Sequence, residues 1–433
     1  MDMDRRDFLK TAGMGGAALF GAGKIAGAQE EKKPVEGGIQ KYNVLGRTEW
    51  KVGDVSMGGG GRMDNPAIVQ RALDLGINYF DTAPDYFPSS EETLGKVLPK
   101  VRDKVFIATK MCEYGKYPMH LALHTPAAKC IQCVEESLKR LQTDRVDALF
   151  IHAVGERPTN DAGEKDVERL RDPETMKAIE QLKKDGKIRF VATSSHGPFM
   201  MAEALDFAVE CGHIDLIMPS WNFMYEMRQP PKDDSKPALK QKPEDLHKVL
   251  DKAKEKNVAV VVMKAVPPIK QRIVPEKLQG LEAADAEEKK QAELAAVKWA
   301  LGHPAVCTLV KTMKAVEDVD FYVSASGQKL TRRDEQLLRE YAATISRSYC
   351  LTGCGECADA CPKGVRIPDI MRFNMYYEGY GHERMAMEHY GQLPKSCRAE
   401  ACAGCAAPCQ AACPYGLPMK TMLAQAHSRL HYA

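Results

Sequence analysis

The chain has 433 residues, 44% of them hydrophobic, with 61 basic and 59 acidic side chains and a formal net charge of +2. That balance excludes the strong basic excess of a nucleic-acid or anionic-membrane binder, and no stretch interleaves aromatic with basic residues as a nucleic-acid groove does. The length accommodates two or three ordinary domains, or one α/β barrel of about 250 residues with additions at its ends.

The first thirty residues read as an address. Asp4-Arg5-Arg6-Asp7-Phe8-Leu9-Lys10 precedes a weakly apolar, glycine-rich run from Thr11 to Gly23, then Lys24 and Ala26-Gly27-Ala28. A basic start, a short apolar region and an A-x-A-like end describe an export signal, too short and glycine-rich to span a membrane. The arginine pair ahead of Phe-Leu-Lys resembles the twin-arginine signal, with Asp4 where that signal usually carries Ser or Thr. Residues 1–28 are expected to be cleaved, and the polar stretch 29–39 to be a linker. No later run approaches the ~18–20 apolar residues of a span, so the mature chain is expected in the periplasm without a transmembrane segment.

From residue 40 to about 328, short β-rich runs alternate with longer amphipathic stretches. The strand candidates are Val52–Met57, Tyr79–Asp81, Val105–Thr109, Ala148–Ile151, Phe190–Thr193, Leu216–Met218, Val258–Met263 and Val306–Val310. Helix-like segments such as Pro66–Leu75, Ala127–Leu141, Glu174–Lys184 and Leu246–Lys256 separate them. Eight such units predict an α/β fold, a closed (β/α)8 TIM barrel, better than an open doubly wound sheet. Gly58-Gly59-Gly60-Gly61 lacks the G-x-G-x-x-G spacing and reads as a flexible loop. The long connections Tyr225–Asp245 and Val266–Ala286 follow strands at the C-terminal rim, where barrel loops build sites. The helix-like segment Arg332–Arg347 leads out of the barrel.

Nine of the 14 cysteines fall between Cys350 and Cys413. The first quartet is Cys350, Cys354, Cys357 and Cys361, followed by Pro362; the second is Cys402, Cys405, Cys409 and Cys413, followed by Pro414. Three near thiolates from one loop and a remote fourth before proline suit 4Fe–4S clusters, the fourth ligating the other cluster of a pair. Each quartet departs by one residue from the strict C-x2-C-x2-C-x3-C-P spacing, so the expectation is one or two clusters. Structural zinc and disulfides are the competing readings, but zinc ligands commonly come as separated pairs, and x2–x3 spacings rarely meet disulfide geometry. The tail looks like a small, mostly helical two-cluster ferredoxin. Cys397 is left as a spare thiol or alternative ligand. Cys130 and Cys133, one helical turn apart, read as small buried hydrophobes, and Cys112 as a pocket neighbour without assigned chemistry.

Asn78-Tyr79-Phe80-Asp81-Thr82-Ala83-Pro84-Asp85-Tyr86 resembles the D-T-A-x-x-Y signature of the aldo-keto reductases. Ser90-Glu91-Glu92-Thr93-Leu94-Gly95, the strand ending at Lys110, the strand ending at His152 and Gly186-Lys187-Ile188-Arg189 follow in that family's order. The resemblance covers nearly all of residues 40–325, and the cysteine tail narrows it to a ferredoxin-fused branch. It implies a barrel at 40–328, a ferredoxin-like domain at 329–433 and an oxidoreductase acting on a small-molecule carbonyl or alcohol. The expected catalytic set is Asp81, Tyr86, Lys110 and His152. Tyr86 would donate a proton to the nascent alkoxide, Lys110 would favour its phenolate, Asp81 would keep Lys110 charged and oriented, and His152 would polarise the carbonyl.

The cofactor contacts follow the family pattern less closely. Ser194, Ser195 and Asn222 are expected around a nicotinamide, with Lys311 and Lys314 at its phosphate, so NADP(H) or NAD(H) is an expected cofactor beside the clusters. Met218 stands where the family offers a glutamine and Thr312 where it offers a glycine, which weakens that expectation. A redox partner protein is expected to exchange single electrons with the tail. The alternative is a non-catalytic electron-transfer subunit whose barrel docks such a partner.

Overall fold

The computed structural model describes residues 33–60, 63–86, 90–156, 162–196, 201–228, 242–268, 282–346 and 348–432. The signal at 1–28, Gly61 and the central parts of the two long connections lie outside them. The segment expected as one strand at Val52–Met57 is two. β1 (Tyr42–Val44) and β2 (Lys51–Gly53) form an antiparallel hairpin, and β3 (Val55–Gly58) begins after Asp54. Asp54 is the reason for the break. Its buried carboxylate accepts from Ser326 Oγ at 2.5 Å and Gly327 N at 2.8 Å, tying the hairpin to the chain after the last barrel helix.

β3 opens a closed barrel with β4 (Tyr79–Asp81), β5 (Phe106–Lys110), β6 (Val146–Ile151), β7 (Ile188–Ser195), β8 (Leu216–Pro219), β9 (Ala259–Val262) and β10 (Val306–Lys311). All eight neighbouring pairs are parallel, and β10 closes on β3 through Leu309↔Val55 and Lys311↔Met57. The period-2 alternation of strands sets which side chains point inward. On β5, Phe106 and Ala108 join the barrel interior while Ile107 joins the outer layer. Lys110 continues the inward series at the C-terminal end. Leu45 and Val52 of the hairpin segment pack into the interior from the opposite end, so the barrel is filled below and open above.

Outside the sheet the helices have the expected amphipathic character. Pro66–Asp74 is capped by Asn65, Pro173–Lys184 by Asp172, and Arg332–Ile345 by a Thr331–Asp334 box. These caps satisfy amide groups that a helix start leaves unpaired. Beyond them, helices Ile367–Glu378, Glu383–Gln392 and Met419–Leu430 pack on one another. Their buried residues, among them Ile370, Phe373 and Leu423, belong to the same continuous core as the barrel's outer layer. Accordingly, the chain from Lys33 onward is one compact unit. Among the described residues no helix is long and apolar enough to cross a membrane.

Candidate active site

Asp81 closes β4, Lys110 closes β5 and His152 follows β6, so three adjacent strands deliver them to one rim. Lys110 Nζ donates to Asp81 Oδ1 at 2.7 Å, Asp81 Oδ2 at 2.8 Å and the Thr82 carbonyl at 2.9 Å, all buried. The ammonium also lies 4.8 Å from the ring centroid of Tyr86, which in turn meets the His152 ring edge-on at 5.7 Å. The four residues expected from the sequence are thus brought together.

The loop carrying Tyr86 is held by the motif that follows it. Ser90 Oγ and Thr82 Oγ1 are 2.7 Å apart, Thr109 donates to Glu91 Oε1 at 2.6 Å, and Arg140 Nε donates to Glu91 Oε2 at 2.7 Å. Gly59 is not the loose position expected of a flexible loop. Its amide donates to the Asp81 carbonyl at 2.6 Å, and a Cβ there would meet Ser90 Oγ at 2.5 Å and that same carbonyl at 2.7 Å. The bare backbone lets β3 approach the Asp81 turn.

Electrostatics refine the role expected for Lys110. Burial pushes the Tyr86 phenol well above its ordinary value, and Asp81 and Asp85 push it the same way. Burial above all thus holds the phenol in its protonated form. His152 is driven well below the usual imidazole range by burial and by His120, so its ring is neutral. Burial raises Asp85 to about 7.

Asp81, Asp85 and Tyr86 face a cavity of about 390 Å³, lined also by Tyr117, Met218 and Lys264 on its barrel side. Lys311, Thr312 and Lys314 also line it, as Tyr376, Tyr380 and His389 of the tail do from above. Lys311 Nζ sits 4.7 Å from the Tyr322 ring centroid, and Lys314 Nζ donates to the Tyr380 carbonyl at 2.8 Å. Ser194, Ser195 and Asn222 are engaged elsewhere. Ser194 Oγ accepts from Ala153 N at 3.0 Å, Ser195 Oγ donates to the Val154 carbonyl at 2.7 Å, and Asn222 Nδ2 donates to the Lys264 carbonyl at 3.1 Å. Asn222 thereby braces Lys264, whose φ is 54°.

Several site groups have no counterpart in the sequence expectations. Glu156, buried beyond β6, accepts from Tyr117 Oη at 2.5 Å and from Arg372 at 2.6 Å. Burial opposes its charge, but Arg372 and His196 hold it well below the ordinary carboxylate range. Lys264 faces the cavity with no carboxylate in ion-pair distance among the described residues, and burial, with Arg372 adding, lowers its amine to about 7. Asp85, inside a quoted motif, was the one detectable signal.

No disulfide joins any of the 14 cysteines, and the tail thiols group across the two quartets. Cys361, Cys402, Cys405 and Cys409 line one hollow. The Cys350 thiol is pushed up by burial and then by Cys354, Cys357 and Cys413. A tetrahedral zinc site on bonds of about 2.3 Å places its sulfurs only about 3.8 Å apart. Among the described residues no three thiols approach one another within 4.8 Å. Pro268 and Gly379 line both the cavity and the hollow that contains Cys350, so one layer of residues separates them.

A model of the aldo/keto reductase family matches residues 52–342, and a model of the twin-arginine translocation signal matches residues 2–22. Aldo-keto reductase YhdN of Bacillus subtilis is 31% identical over 194 residues, 43% of this chain and 52% of that protein. L-galactose dehydrogenase of Arabidopsis thaliana is 32% identical over 191 residues, 41% of this chain and 55% of that protein. The chain thus spans about half the length of these curated relatives. A solved aldo-keto reductase from Bacillus halodurans, in its holo form, is 24% identical with a TM-score of 0.49, covering 70% of this chain and 96% of that one. Another, from Klebsiella pneumoniae in complex with NADPH, is 23% identical with a TM-score of 0.47, covering 70% and 95%.

Proposed function

The chain belongs to the aldo/keto reductase family, and on that premise we propose an exported, periplasmic oxidoreductase that interconverts a small carbonyl compound and its alcohol. The observation that carries this reading is the buried Lys110–Asp81 pair beneath Tyr86, with His152 edge-on to the same ring. In the reductive direction a two-electron carrier would deliver hydride to the carbonyl carbon, while His152, neutral, orients the carbonyl oxygen and Tyr86 gives it a proton as negative charge develops there. Lys110 steadies the phenolate that remains, and Asp81 keeps the ammonium in place. The tail and the barrel act as one body, the former roofing the cavity in which this occurs.

The thiol groupings support two 4Fe–4S sites, one held by Cys350, Cys354, Cys357 and Cys413, the other by Cys402, Cys405, Cys409 and Cys361. Such clusters supply single electrons, exchanged with a redox partner protein. Arg228, whose guanidinium lies 4.2 Å from the Tyr415 ring centroid, sets a positive charge beside the first group. Lys311 and Lys314 suit the phosphate of NADP(H), but the amide end lacks a bracket: Met218 faces the cavity, and the Ser194 and Ser195 oxygens bond backbone. Because carbonyl reduction takes two electrons and a hydrogen at carbon, single electrons from the tail would recharge a retained two-electron carrier of the nicotinamide or flavin class, not replace it. The imbalance at the amide end also keeps an electron-carrier reading in view, which Tyr86→Phe separates.

With viologen reduced by dithionite as donor and a panel of simple aldehydes and ketones, Tyr86→Phe is expected to lower turnover by about 10²–10⁴-fold. Iron and acid-labile sulfide per chain should be unaltered. Turnover equal to wild type would transfer the reading to the carrier.

A further inference from the structure

Asp85, His120 and His152 arrive from three separate loops and converge under the cavity. One ligand atom from each lies within 4.8 Å of the other two, and the group is the one such cluster among the described residues. Asp85 Oδ1 stands 3.6 Å from His152 Nδ1, and Asp85 Oδ2 stands 3.8 Å from His120 Nε2. The two imidazoles meet at 62° with centroids 4.5 Å apart. The exposures are 1%, 6% and 1%, which makes this an interior cluster rather than a surface patch of acids.

Two of those atoms lack what buried polar atoms normally have. Asp85 Oδ1 and His152 Nδ1 are inaccessible to solvent and make no hydrogen bond. Buried polar atoms in folded proteins are almost always paired, so two orphans side by side call for a partner. They face each other at a separation too long for a hydrogen bond. It is close to what two ligands of one ion need, since bonds of about 2.0–2.1 Å in a tetrahedron separate ligand atoms by about 3.3 Å.

The surroundings suit a cation as well. Glu156 Oε2 lies 3.9 Å from Nδ1 of His120, the nitrogen that does not face Asp85. A carboxylate behind a ligating imidazole orients the ring and raises its basicity. Met119 N donates to Asp85 Oδ2 at 3.1 Å and fixes the carboxylate. The nearby Lys110 ammonium acts on Asp85 and His152 and so opposes a second cation, an effect reduced by its pairing with both Asp81 oxygens.

We propose that Asp85, His120 and His152 bind one divalent first-row transition ion of the zinc or ferrous class, with its open coordination positions toward the cavity. Two imidazoles and one carboxylate on one side of an ion are a donor set suited to these metals, distinct from the thiol groups of the tail. Asp85 and Tyr86 line the cavity, so an oxygen-bearing ligand there reaches the ion. The ion then polarises a carbonyl or vicinal hydroxyl oxygen next to Tyr86 as a Lewis acid. Metal binding itself stands apart from the proposed reaction; only this last role rests on it.

The test uses the full chain with its clusters intact, handled without oxygen and titrated with Co²⁺ alone, then with Zn²⁺ as competitor. One Co²⁺ per chain is expected, giving visible d–d bands with no thiolate charge-transfer band, displaced by Zn²⁺. Asp85→Asn and His120→Gln should each weaken that binding by more than the about 10–100-fold typical of losing an outer-sphere partner. Tyr86→Phe should bind as wild type does, which separates failure of this site from failure of the proposed reaction. Absence of stoichiometric binding, thiolate charge-transfer bands, or unchanged affinity in a folded His120→Gln would overturn the assignment.

Discussion

Arg372, on helix Ile367–Glu378, donates to Glu156 Oε1 at 2.6 Å across 216 residues of sequence, with both side chains 6% exposed. The same guanidinium donates to Asp369 at 3.0 Å, and Arg366 reaches the Glu156 carbonyl at 3.1 Å. A bond of this kind makes the cysteine-bearing tail a wall of the cavity beside Asp81 and Tyr86. Removing one partner of a buried pair leaves an uncompensated charge, at about 3–5 kcal/mol. Arg372→Met is therefore expected to lower stability by about that amount in chemical unfolding, and Arg372→Met with Glu156→Gln by less than the two singles added together. Strict additivity would show that the pair does not couple tail to barrel.

The crossing of the thiol groups has a distinct signature. Cys361 precedes Pro362 in the first quartet, yet it lines a hollow with Cys402, Cys405 and Cys409. Cys361→Ser should perturb the site formed by the later cysteines, while Cys413→Ser should perturb that of Cys350, Cys354 and Cys357. Electron paramagnetic resonance of the reduced protein should lose or reshape a different signal in each variant. Loss of the same signal from both would mean that each quartet serves its own site.

Lys264 supplies a pH dependence. Burial lowers its amine to about 7 in the folded chain, whereas an exposed lysine titrates near 10.4. Between those values the unfolded chain binds the extra proton, so stability gained from this residue rises with pH across that window. Below about 7 both states are protonated, and the folded state carries the full penalty of the enclosed charge. Lys264→Met should therefore stabilise most at neutral pH and below, the advantage shrinking toward pH 10. Acetylation of Lys264, followed by peptide mass spectrometry, should show an amine whose reactivity increases through pH 7, well before exposed lysines.

Much of this arrangement was legible in the sequence because it rests on local rules. Alternation along β5 and the endings of β4 and β6 put Asp81, Lys110 and His152 on one rim, and motif spacing supplied Tyr86. What was not legible depends on chain segments that meet only in three dimensions. Nothing in the spacing joins Glu156 to Arg372 or brings His120 beside Asp85. Ser194 and Ser195 show the converse: hydroxyls suited to a carboxamide turn instead to the backbone of the Ala153–Val154 turn. The strand expected at Val52–Met57 was broken by one buried aspartate whose partners, Ser326 and Gly327, lie some 270 positions away.

The contact between Gly379 and Pro268 locates the thin partition between the tail thiols and the cavity. A Cβ on Gly379 would lie 2.1 Å from Pro268 Cβ, a distance that only displacement of a helix or of the proline loop can relieve. Overpacking of this sort typically destabilises by about 1–3 kcal/mol. It also moves the layer that both hollows share. Gly379→Ala is therefore expected to keep its iron and sulfide but to unfold at lower temperature. Because electron transfer is sensitive to separation, the reduced variant should be reoxidised more slowly by substrate in stopped-flow absorbance. If stability fell while the reoxidation rate held, the route from Cys350 would pass elsewhere than through this partition.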